Sequence, residues 1–170
     1  IAELQVNYLG YFGSTGLPNM DYWVGDYQLF PKNTIEWHSE ELHRLNRCFI
    51  AWEPSPSLPE ATLDVTDAPS GGIRFGSFNH NRKLSDETLK LWAKIFASLP
   101  SASLVLKASN KDDKGTQELL CRRMRRQGLD PERVIWLPRA PSATEHLHQY
   151  QFVDVVLDCF PNGGCTTTCE

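Results

Sequence analysis

Two periods organise the stretch from residue 73 to residue 158. "IRFGSFN" (73–79) alternates its apolar side chains, which predicts a strand. From Asp86 the period lengthens, and Leu89, Trp92, Ile95, Phe96 and Leu99 recur on one helical stripe. Ser85 precedes that stripe as an N-cap, Asp86 and Glu87 fill its first turn, and Pro100 stops it. "SLVLK" (103–107) predicts a short apolar strand, and "GTQELLCRRMRRQG" (115–128) a helix closed by Gly128. "RVIWLP" (133–138) predicts a third strand. Ser142 and Glu145 make a capping box for a helix through Tyr150, and "VDVVLD" (153–158) predicts a fourth strand.

The pattern before residue 73 is weaker. "LQVNYLG" (4–10) suits a buried strand, "GYFGSTGLPNMDY" (10–22) a glycine-rich loop, and "DYWVGDYQLF" (21–30) a second strand interrupted at Gly25. "SEELHRL" (39–45) opens with an N-cap serine and two acids, which predicts a short helix. "EPSPSLPEATLDVTDAPSGG" (53–72) is rich in proline and serine and ends on a glycine pair. Proline fixes φ and lacks a donor, so this stretch is expected to be a mobile linker, with a boundary near residues 69–72.

Strands alternating with helices at this spacing predict an α/β unit with a parallel, doubly wound sheet. Ligands on such sheets bind beyond the carboxyl ends of the strands. The loops at that edge are 79–83, 107–110, 138–142 and 161–168.

Composition narrows the class. The chain has 170 residues, of which 41% are hydrophobic, enough for a core, and a net charge of −4. That charge argues against a general nucleic-acid or membrane-surface binder. Five scattered cysteines do not make a disulfide scaffold and fit a reducing, cytoplasmic setting. No run approaches the ~18 apolar residues of a membrane span. The sequence opens on Ile1 and closes on a glycine–threonine turn, so it reads as a fragment of a longer chain.

That closing turn carries the first candidate chemistry. Gly163 and Gly164 permit close backbone approach, and Thr166, Thr167 and Thr168 place hydroxyls beside the free N–H groups of a starting helix, a natural anion site. The same residues also suit an ordinary threonine-capped turn. Lys83 lies just past the first strand of this half, where its charge can face the same anion, or simply water. His146, one turn into the capped helix, is placed to stack on a base or to bond a ribose, or to sit on a helix surface. Arg122, Arg123, Arg125 and Arg126 read as a solvated helix face. Cys159, Cys165 and Cys169 lack C-x-x-C spacing, and His38 and His43 beside Glu40 and Glu41 lack H-E-x-x-H, so neither group reads as a metal site.

Four motifs, in order, carry a family likeness. "YLGYFGSTGLPNMDY", "FGSFNHNRKLSDETLKLWAKIFASLP", "RAPSATEHLHQYQFVDVVLD" and "NGGCTTTCE" together resemble the catalytic region of O-linked N-acetylglucosamine transferases and the related SPINDLY proteins. The resemblance implies a GT-B glycosyltransferase with two Rossmann-like lobes. Residues 1–70 would be a partial N-terminal lobe plus linker, and 71–170 a nucleotide-sugar-binding lobe lacking its C-terminal end.

It implies transfer of N-acetylglucosamine from UDP-N-acetylglucosamine to Ser or Thr hydroxyls of proteins, with inversion and without a metal or other cofactor. Relatives that use GDP-fucose make a protein O-fucosyltransferase the alternative, and a nucleotide-sugar-binding module without turnover is another. Tetratricopeptide repeats are expected in the full-length protein, and the isolated stretch is expected to be inactive. By resemblance Lys83 contacts the donor diphosphate and is the catalytic residue. His80 lies near the donor, His146 packs on the base, Gly164 and Cys165 belong to the donor-binding turn, Thr166 and Thr167 bind phosphate, and Glu170 binds the ribose. Cys165 departs from the Gly or His of relatives, and Phe12 replaces a usual proline in a loop that faces the interlobe cleft in the family.

Overall fold

A computed structural model describes residues 2–10, 13–53, 72–107 and 114–170. The chain divides into two compact units, Ile1–Glu53 and Pro54–Glu170. Most of the expected linker, with the boundary at 69–71, lies outside the described residues. So do Phe12 and the loop positions 108–110.

In the first unit β1 (Val6–Asn7), β2 (Tyr22–Asp26) and β3 (Glu41–Leu45) form a parallel sheet in that order. Two expectations are corrected here. Residues 41–45 are a strand, paired in register from Tyr22 opposite Glu41 to Asp26 opposite Leu45. The alternation of Leu42 and Arg44 with exposed neighbours already suits a strand, and sheet pairing overrides the helix-start signal. Nor does Gly25 interrupt β2: a Cβ there would lie 2.3 Å from the Phe30 ring, so glycine lets that ring pack against the strand.

Glu40 explains why the apparent helix start was misleading. Its carboxylate is 2% exposed and accepts hydrogen bonds from Ser14 Oγ (2.6 Å), Thr15 N (2.6 Å), Thr15 Oγ1 (2.6 Å) and Ser39 N (3.2 Å). Instead of capping a helix, it fastens the glycine-rich loop. Burial pushes the carboxyl up, but the Ser14 and Thr15 bonds outweigh it and bring it down from 4.5 to about 2. Because the folded value is depressed, this stabilisation is complete above pH 4.5 and is lost as the pH falls toward 2. Glu40→Gln is expected to lower unfolding free energy by about 2 kcal/mol, since charged hydrogen bonds are replaced and an amide N–H₂ is turned toward donors. Denaturant melts should show a gap between the two proteins that is constant at neutral pH and closes in acid.

The second unit holds β4 (Arg74–Ser77), α1 (Asp86–Ser98), β5 (Ser103–Lys107), α2 (Lys114–Gln127), β6 (Val134–Leu137), α3 (Ala143–His148), β7 (Val155–Val156) and α4 (Thr166–Cys169). All four strands run parallel, in the order β6-β5-β4-β7. The local signals predicted for α1 and α2 are present. Ser85 Oγ accepts from Thr88 N, and Leu89, Trp92 and Phe96 are buried on the expected stripe. Gly128 takes φ +86°, its N–H reaches Arg125 O (3.2 Å) and Leu129 N reaches Met124 O (3.0 Å), which closes α2 as a Schellman motif. Leu104, Leu106, Leu120 and Met124 complete the core between sheet and helices.

Two boundaries and one side chain differ from the sequence reading. The α-helix after Ser142 ends at His148 and continues as a 3₁₀ turn over Gln149–Phe152. The fourth strand shrinks from 153–158 to a two-residue ladder, which leaves Val155 and Val156 exposed. Arg123 is no solvated arginine: it bonds Asp86 Oδ1 (2.8 Å) and Leu84 O (2.6 Å), tying α2 to the start of α1.

The connections run outward from β4 through β5 to β6, then return across the sheet to β7. The winding therefore reverses between β4 and β7. A crevice at such a switch point is where open α/β sheets bind ligands.

Candidate functional site

Two loops meet at that switch point. The loop after β4 folds into a 3₁₀ turn, Asn81–Lys83, and places Lys83 Nζ 2.9 Å from the Gly163 carbonyl oxygen in the loop after β7. The sequence separation is 80 residues, and strand adjacency closes it. The N-cap of α1 helps hold the second loop: Ser85 Oγ (2.6 Å) and Thr88 Oγ1 (2.9 Å) both donate to the Phe160 carbonyl.

Asp158 shapes the turn. Its Oδ1 accepts from Cys159 N (2.7 Å), Gly164 N (2.7 Å) and Asn79 Nδ2 (3.1 Å), and its Oδ2 from Thr168 Oγ1 (3.3 Å). A Cβ on Gly164 would lie 2.2 Å from Thr168 Oγ1, so only glycine fits against that hydroxyl. The Gly164 N–H is committed to Asp158, and the missing side chain lets the turn close. The expected helix after the turn is a single turn, Thr166–Cys169, capped at Cys165 without a side-chain hydrogen bond. One turn supplies little dipole, so charge from Lys83 outweighs it. The hydroxyls of Thr166 and Thr167 have no partner among the described residues.

A second cluster lies over the carboxyl ends of β5 and α3. His146 Nε2 is 2.8 Å from Glu170 Oε2, and Tyr150 OH donates to the same oxygen at 3.1 Å. Tyr150 OH also lies 3.2 Å from Thr167 O, which joins this cluster to the turn. Lys107 Nζ contacts His146 Nδ1 and stands 4.9 Å from the centre of the Phe78 ring. Burial, and secondarily the Glu170 charge, push the Tyr150 hydroxyl up, so it stays a donor. Burial lowers Lys107 from its ordinary value, while Glu170 opposes that shift.

Of the residues singled out from sequence, Lys83 and the Gly163–Gly164 turn come together, and His146 and Glu170 come together. His80 stands apart: it is exposed, and its Nδ1 accepts from Arg82 N (3.2 Å), capping its own turn. Asn79, Lys107, Tyr150 and Asp158 were missed as site residues. Lys107 and Asp158 each end a predicted strand at the ligand edge, and Tyr150 follows His146 by four residues on one helical face. Those positions were the available signal.

Comparison with known proteins places relatives beside this chain. The profile of glycosyl transferase family 41 matches residues 53–170. The chain is 36% identical over 172 residues to "Probable UDP-N-acetylglucosamine--peptide N-acetylglucosaminyltransferase SPINDLY" of Solanum lycopersicum, covering 99% of this chain and 18% of that protein. The protein of the same description from Oryza sativa subsp. japonica is 37% identical at the same coverage. Among solved structures, the O-GlcNAc transferase of Thermobaculum terrenum, as its K341M mutant, superposes with a TM-score of 0.86 and 38% identity, over 98% of this chain and 31% of that one. The chain thus spans less than a fifth of the length of these curated relatives.

Proposed function

The chain belongs to glycosyl transferase family 41, and from that premise we propose that its protein transfers N-acetylglucosamine from UDP-N-acetylglucosamine to Ser or Thr hydroxyls of proteins, with inversion. The observation that carries the reading is the Lys83 ammonium against the Gly163 carbonyl at the β4–β7 switch, beside two unpartnered threonine hydroxyls. Negative charge grows on the leaving diphosphate as the bond to the sugar C1 breaks and the acceptor oxygen attacks from the opposite face. A fixed ammonium and hydroxyl donors stabilise that charge without a metal ion. His146 and Glu170 would hold the nucleoside end. The relatives are described as probable UDP-N-acetylglucosamine--peptide N-acetylglucosaminyltransferases, in line with this assignment. Among the described residues, no helix is long and apolar enough to cross a membrane.

The test is transfer by the full-length protein to a protein acceptor, with labelled UDP-N-acetylglucosamine and GDP-fucose in parallel. Labelling from the first supports the proposal. Labelling from GDP-fucose alone replaces the donor, and binding without labelling by either makes the protein a nucleotide-sugar-binding module. Thr167→Val in the same protein is expected to weaken donor binding by about 1 kcal/mol, roughly fivefold, with kcat within twofold, because one hydroxyl is lost and the shape is kept. Donor titration by calorimetry reads this directly.

A further inference from the structure

We propose that Lys107 is a positioning residue for the nucleoside of the donor: by occupying His146 Nδ1 it places the ring proton on Nε2, so that Glu170 keeps one carboxylate oxygen free for a ribose diol. The ribose step rests on the nucleotide-sugar reading above. The hydrogen-bond chemistry runs in one direction. A protonated Lys107 ammonium has three donors and no acceptor, so toward it the imidazole nitrogen acts as the acceptor. A neutral ring then carries its single proton on Nε2, which donates to Glu170 Oε2 at 2.8 Å.

Tyr150 OH, a protonated phenol, shares its single proton between the same oxygen at 3.1 Å and Thr167 O at 3.2 Å. Glu170 Oε2 is therefore loaded by two donors, while Oε1 has none among the described residues. The Glu170 side chain is 17% exposed, and its free oxygen is open to a ligand. Paired hydroxyl donors, such as the 2′,3′-diol of a ribonucleotide, complete it. Lys107 is itself held by the Phe78 face, 4.9 Å from its ammonium, and by the carboxyl end of β5, so its charge is fixed where it meets the ring. The plainer reading, a strand-end lysine lying over Phe78, requires no particular tautomer and no preference for ribose.

The test uses the full-length protein with Lys107→Met, which keeps the aliphatic stem over Phe78, and Lys107→Arg, which keeps a donor-only cation. Solid-state ¹⁵N spectra of histidine-labelled protein, with His146→Phe for assignment, read the tautomer without any ligand. The wild type and Lys107→Arg are expected to show His146 with its proton on Nε2, and Lys107→Met a mixture. Calorimetry with UDP and 2′-deoxy-UDP is expected to show a preference for the ribonucleotide of roughly tenfold in the wild type, the worth of one hydrogen bond to a charged group, falling to within about twofold in Lys107→Met. A wild-type proton on Nδ1, or a ribo-to-deoxy ratio unchanged by Lys107→Met, overturns the proposal. If the wild type binds neither UDP nor GDP, the nucleotide reading and the ribose step fail together. The ¹⁵N tautomer still decides the Lys107–His146 coupling for or against.

Discussion

Lys83→Ala in the full-length protein is expected to lower kcat by roughly 30- to 1000-fold, with a smaller effect on donor affinity. The range corresponds to about 2–4 kcal/mol of lost transition-state stabilisation. Lys83 Nζ is 2.9 Å from the Gly163 carbonyl, so one of its three N–H donors is spent in holding the turn and two are left for a ligand. On the proposed reading the diphosphate already carries charge in the bound donor, but the β-phosphate oxygen attached to the sugar gains charge only as the sugar bond breaks. A group that meets the added charge therefore acts more on kcat than on KM. Lys83→Arg is expected to recover part of the rate, since charge is kept while the point-like ammonium is replaced by a planar fork. Steady-state kinetics with varied donor would measure this. A kcat/KM within twofold of wild type for Lys83→Ala would make Lys83 a turn-holding residue alone.

Asp154→Ala is expected to destabilise the second unit by about 3 kcal/mol, because it strips a bidentate carboxylate from a guanidinium that is 10% exposed. Arg74 begins the β4 side of the switch and Asp154 precedes β7. Arg74 N (2.7 Å), Nε (3.1 Å) and Nη2 (2.7 Å) all donate to the Asp154 carboxylate, and Asp154 N returns a bond to Arg74 O at 2.8 Å. The ladder these residues support is only Phe75–Val155 and Gly76–Val156, too short to hold β7 by backbone pairing alone.

Hydrogen bonds from the Arg74 side chain, acting against burial, hold the Asp154 carboxyl below its ordinary 3.8. The folded value is depressed, so this stabilisation is present above pH 3.8 and is lost as acid protonates the group. Denaturant midpoints for wild type, Asp154→Asn and Asp154→Ala at neutral pH should fall in that order. A loss under about 1 kcal/mol would show that packing alone holds β7. Loosening β7 also moves Asp158 and the turn it organises, so donor KM should rise in the same variant.

The sequence alone determined the features whose physical cause lies within one helical turn. Ser85 and Thr88, the buried stripe of Leu89, Trp92 and Phe96, and the left-handed Gly128 are local in this sense. Each depends on residues no more than a few positions away, so α1 and α2 were legible with their caps. The alternation of strands and helices also fixed which loops share the ligand edge, and therefore placed Lys83, His146 and the glycine–threonine turn near one another.

Tertiary structure decided what depends on partners far apart in the chain. Residues 39–45 look like a helix start, yet pairing with Tyr22–Asp26 made a strand of residues 41–45 and turned Glu40 into the anchor of a loop 25 residues away. The glycine–threonine turn gave no sign that Asp158, at the end of the preceding strand, would take the Gly164 N–H. His146 carried its base-packing expectation without any hint that Lys107, 39 residues earlier, would hold one ring nitrogen and Glu170 the other. Such contacts follow from which strands lie side by side, and a burial or hydrogen-bond gain between distant segments outweighs a local propensity of a few tenths of a kcal/mol per residue.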